Sequence, residues 1–158
     1  MIISVNRALV APYPKWVTAF REPELQHLGP AKFDPQKLEK MSCANPQDLH
    51  YISDVYKHLN QNGLLARCLT LLDGQAIIDQ MRLVDFQATF QECVDLFDRR
   101  RIYLFGSAVS ASNGQGYFLP FVDGSTDAPN LTLNWTQFGE FGDTPASWVL
   151  PCIRLHAA

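Results

Sequence analysis

"RIYLFGSAVSASNGQGYFLPFVDGSTD", residues 101–127, decides the fold. "RIYLFGSAVS" and "QGYFLPFV" are short runs rich in aromatic and β-branched residues, and they read as strands. Between them "SNGQG" supplies a glycine-bearing hairpin turn. "DGSTDAPN" then supplies a longer turn into a third strand, "NLTLNW". The expectation is an antiparallel meander of about three or four strands in the C-terminal half.

Upstream the period is helical. "NPQDLHYISDVYKHLNQNG" places Leu49, Ile52, Val55, Tyr56 and Leu59 on one stripe, with Asn45 as cap, Pro46 at the start and Gly63 as the stop. "DPQKLEKM" starts a short helix by the same logic at Asp34 and Pro35. "GLLARCLTLLD" and "DGQAIIDQM" read as two short helices divided at Asp73-Gly74. "DFQATFQECVDLF" puts Phe86, Phe90, Val94 and Phe97 along one side of a further helix, which exits into Arg99, Arg100 and Arg101. Before these, "IISVNRALV" reads as a strand. The segment marked by Pro12, Pro14, Pro23 and Pro30 reads as extended chain with a short helix near Trp16–Phe20. Helices first and strands afterwards is the α+β order: an N-terminal helical region packed on the C-terminal meander, in one domain over residues 1–158.

"YLFGS" resembles the opening of the minimal nucleotidyltransferase motif, in which a hydrophobic strand delivers Gly-Ser to a nucleotide phosphate. The resemblance spans about five residues, and it implies two carboxylates one residue apart on the next strand to seat divalent metals. Here the acids after Gly106-Ser107 are Asp123 and Asp127, and "YFLPFV" contains none. The Gly-Ser is therefore read as part of a hairpin. Asp123 and Asp127 do not complete a calcium loop either, because the twelfth position from Asp123 is Asn134 rather than Glu.

The 158 residues suffice for a real core without a metal or disulfide staple. The net charge of −3 argues against a nucleic-acid binder that relies on bulk positive charge. Residues 1–72 carry eight Lys/Arg against six Asp/Glu, whereas residues 102–158 carry one against four. No apolar run is long enough to span a bilayer, and Asn6 and Arg7 interrupt the apolar start, so no membrane association is expected and the expected compartment is the cytoplasm. Cys43, Cys68, Cys93 and Cys152 form no CxxC pair. Cys68 and Cys93 read as core fillers.

No constellation builds an active site or a metal centre. His50, Asp54 and His58 share a helix face, but the imidazoles would stand about 12 Å apart along the axis, so the stripe reads as solvent-facing. Cys152 and His156 have no evident third group to orient the imidazole. No metal and no cofactor are expected.

"NWTQFGEFGDTPASWVLP" sets Trp135, Phe138, Phe141 and Trp148 in irregular chain, with Asp123, Asp127, Glu140 and Asp143 nearby. Each ring can cover the core or anchor a partner, and the acids suit a rim facing a basic surface. The expectation is a non-catalytic, small acidic binding protein that inhibits another protein, comparable in class and size to toxin-immunity and phage-encoded inhibitors. The alternatives are a small enzyme with a dispersed site using Ser107, His50 or Cys152, and a structural subunit of a larger assembly.

Overall fold

The computed structural model describes residues 2–11, 13–40, 51–83, 101–112, 114, 116–123, 131–140, 142–145 and 152–153. Its main sheet is antiparallel and joins both ends of the chain: β2 (Val17–Phe20), β5 (Arg101–Tyr103), β6 (Val109–Ala111), β7 (Tyr117–Asp123) and β8 (Leu133–Phe138). β1 (Ile3–Ser4) pairs with β3 (Lys32–Phe33), and β4 (Glu39–Lys40) pairs with β9 (Cys152–Ile153). Among the described residues the α-helices are α1 (Ile52–Gln61) and α2 (Leu71–Leu83), and both lie mid-chain rather than at the N-terminus. The mixed α+β class holds, but the N-terminal layer is made of strands and 3-10 turns.

β7 is central. It pairs with β8 from Tyr117↔Phe138 to Val122↔Leu133, and on its other edge with β5 and β6 in turn. Alternate residues face two separate clusters. Tyr103, Leu119, Phe121 and Phe138 meet Ile52, Val55, Tyr56 and Leu59 of α1. Ile102, Leu104 and Val122 meet Ile77, Ile78 and Met81 of α2, with Ile3 and Phe33. Both faces are covered, so Leu119 to Val122 is a run of four buried residues rather than an alternating strand.

The expected single strand "RIYLFGSAVS" is broken. Tyr103 pairs with Phe121 and Val109 with Phe118, so Leu104–Ala108 forms an excursion from the ladder. Its centre, Phe105–Ser107, is a 3-10 turn. Pro120 sits opposite this excursion, and its carbonyl still accepts from the Leu104 amide at 3.0 Å. In an antiparallel ladder the N–H and C=O of one residue face the same neighbour, so the donor that Pro120 lacks falls where the partner strand has left. The excursion meets the segment that carries the chain from one face to the other. Cys68 belongs to the α1 cluster and Leu69 to the α2 cluster, and the Gly106 amide donates to Leu69 O at 3.0 Å.

Other local expectations change for identifiable reasons. The residues near Trp16 form β2 instead of a helix, because β6 offers them an edge: Val17 pairs with Ala111 and Phe20 with Val109. "DPQK" forms only one 3-10 turn, Pro35–Lys37, before β4. α2 runs straight through Asp73-Gly74, where a break was expected. Asp73 accepts from the Thr70 amide at 2.8 Å and from its hydroxyl at 3.1 Å, a local bond that fixes the helix start. Gly74 serves close packing rather than termination, since a Cβ there would stand 2.5 Å from Leu104 Cδ1. α1 does end at its expected stop, with Gly63 at φ +66°. Its start differs from the expected Asn45–Pro46: α1 begins at Ile52, behind an extended Tyr51 that bridges to Pro145 and whose amide donates to Asp54. Residues 41–50 and 84–100, which hold Asn45, Pro46 and the expected helix over 85–97, lie outside the described residues.

Candidate functional site

The Gly106-Ser107 pair is fully enclosed, which settles its chemistry. Ser107 Oγ donates to Gln26 Oε1 at 2.6 Å and accepts from the Leu71 amide at 2.7 Å, the first residue of α2. Gln26 Nε2 in turn donates to Gly106 O at 2.8 Å and Glu22 O at 2.9 Å. Ser107 is buried, so it presents no hydroxyl to a substrate. Beside it, Asp73 accepts from Arg7 Nη2 at 2.7 Å, and Arg7 also donates to Pro30 O. These polar groups tie the N-terminal segment, the excursion and α2 together.

Of the eight residues expected at a partner surface, the five that are described do not gather in one patch. Phe138 is 2% exposed and packs on Tyr56 and Tyr117 at ring separations of 5.3 and 5.9 Å. Trp135 is half-buried on the α2 face, 5.2 Å from the Trp16 ring. Asp143 caps α1 from 90 positions away: it accepts from the Ser53 amide at 3.3 Å and from the Ser53 hydroxyl. Asp123 ends β7 opposite Arg101, at the far end of the strand from Tyr117. Among the described members only Glu140 is exposed. Phe141, Trp148 and Asp127 lie outside the described residues, as do His50 and His156. Asp54 accepts from the Tyr51 amide at 2.9 Å, and Cys68 is buried in the α1-side core. Among the described residues no three His, Cys, Asp or Glu side chains converge.

Glu140 instead belongs with residues that the sequence reading missed. A half-open cleft of about 440 Å³ lies at the Tyr117 end of the sheet, walled by Ser110, Gly114, Gly116, Tyr117, Gly139 and Glu140. Gly114, Gly116 and Gly139 have φ of +68°, +83° and +105°, turn geometries that disfavour any side chain. Their missing side chains leave the walls low. Tyr117 is 37% exposed, and the Arg21 guanidinium carbon lies 4.0 Å from its ring centroid and 5.0 Å from that of Tyr56. Such stacking holds a cation at the surface without an ion pair.

Beneath Arg21 the electrostatics are unusual. The Tyr56 hydroxyl is buried with no hydrogen-bond partner, and burial pushes its pKa up to about 12. Glu22 is also raised above the ordinary carboxylate value, first by burial and then by its hydrogen bond with Glu24 and the charge there. A signal for this site did exist in the sequence. "SNGQGY" and "FGEFGD" are both glycine turns beside aromatics, and the β7–β8 pairing brings them to one end.

Among the described residues no helix is long and apolar enough to cross a membrane. No family model matches this chain, and neither a curated protein nor a solved structure does.

Proposed function

We propose that this chain is a non-catalytic binding protein that docks on another protein through the Tyr117 end of the main sheet. The observation that carries this reading is the Arg21–Tyr117 stack beside an open, glycine-walled cleft. Tyrosine and arginine are enriched among residues that dominate binding energy, and walls without side chains let a partner's backbone approach closely. Leu9 and Val10 are also exposed, at 56% and 77%, but they are not among the residues that line this cleft and bring no polar side chain. The mode of action proposed is inhibition by occlusion, which is open to a docked domain that performs no chemistry of its own.

The test is capture from a native lysate with three immobilised baits: wild type, Arg21→Ala/Tyr117→Ala, and Lys57→Ala on the exposed side of α1. A protein held by wild type and Lys57→Ala but lost from the double variant is the expected result. Identical capture by all three contradicts the reading.

A further inference from the structure

We infer that the cleft beside Tyr117 receives a basic side chain, an arginine or lysine of the protein partner, with Glu140 as its counter-ion. This rests on the docking reading above and adds the partner's chemistry. Glu140 is the only carboxylate or basic side chain lining the cleft among the described residues, and there it enters no ion pair. Arg21 covers the Tyr117 ring without lining the cleft, so it is not the group that meets an incoming ligand there.

The volume leaves room for a side chain to enter. About 440 Å³ falls in the lower part of the range for small-ligand sites, roughly 300–1,000 Å³. A guanidinium brings five donors, and among the residues lining the cleft Glu140, Ser110 and Tyr117 carry side chains able to accept. The Arg21–Tyr117 contact shows that this ring accepts a cation on its face. An anionic ligand would meet like charge at Glu140.

The experiment is an amide NMR titration of the full chain with two probes, acetyl-Gly-Arg-Gly-amide and acetyl-Gly-Glu-Gly-amide. The arginine peptide is expected to shift the amides of Gly114, Gly116, Tyr117 and Gly139, more weakly as salt is added, while the glutamate peptide does not. Glu140→Gln, an exposed change that leaves the core untouched, is expected to weaken the arginine peptide about fivefold. Equal shifts with the glutamate peptide, no shifts at these amides, or an unchanged titration in Glu140→Gln would each overturn the inference. A captured partner that needs Tyr117 but is indifferent to Glu140→Gln would overturn it too, while leaving the docking reading intact.

Discussion

The Ser107 hydroxyl accepts the Leu71 amide at 2.7 Å, so an excursion in one strand caps a helix from 36 positions away. The first amides of a helix have no partner within it and must find one elsewhere. Thr70 and Asp73 begin the task locally at α2, and Ser107 continues it from the sheet. What resembled a phosphate-gripping Gly-Ser is thus a joint between sheet and helix.

Ser107→Ala should therefore destabilise the protein. It strands the Leu71 amide and the Gln26 side-chain oxygen in a buried place, a loss of about 1–3 kcal/mol. Urea unfolding would show a lower midpoint at unchanged slope. An unchanged midpoint, or nucleotide transfer activity that Ser107→Ala abolishes, would contradict the structural role.

Gly106→Ala should be at least as harmful. A Cβ at Gly106 would stand 3.1 Å from Leu69 O and 3.3 Å from Cys68 O, and backbone atoms cannot rotate aside. The excursion would have to lift off the crossing segment, weakening the Gly106–Leu69 hydrogen bond, and overpacking of this kind costs about 1–3 kcal/mol. A thermal melt equal to wild type would show that the contact is looser than described.

How far the sequence could be read depended on the range of the forces involved. α1 was legible because its stripe and its glycine stop are local. Gly74 misled because its cause, the side chain of Leu104, lies 30 positions away. The break at Gly106-Ser107 was hidden for the same reason, although Pro120 inside an apparent central strand was a usable warning. β2 took the form its partner imposed, which its proline-flanked sequence did not specify. At the site Glu140 was named, but Arg21 and Tyr117 were not, since only the sheet brings residues 96 apart together. Phe138 and Asp143, named as partner contacts, are engaged within the fold.

Tyr56→Phe should leave neutral-pH stability equal or raise it by about 1 kcal/mol, because it removes a buried hydroxyl without a partner. Folding raises the Tyr56 pKa from 10.0 to about 12, so the folded state holds the proton more tightly than the unfolded chain. Its stability contribution is whole below pH 10 and is lost as pH climbs from 10 towards 12. The variant should lose less stability across that window, as read by denaturant melts at stepped pH. A loss of stability at neutral pH would mean that the hydroxyl has a partner.

Asp143→Ala should weaken α1 by removing the acceptor for the Ser53 amide and hydroxyl, costing about 1–2 kcal/mol. Helicity followed by circular dichroism during a melt would report it. A variant with unaltered melting and impaired partner capture would return Asp143 to the interface.

The docking claim is tested most directly by hydrogen exchange of the chain alone and with its captured partner. Slowed exchange is expected at residues 110–117 and 138–140, around the Tyr117 cleft. Protection confined to the Leu9–Val10 loop or to the Asp123 end of β7, with the cleft amides exchanging as in the free chain, would contradict it.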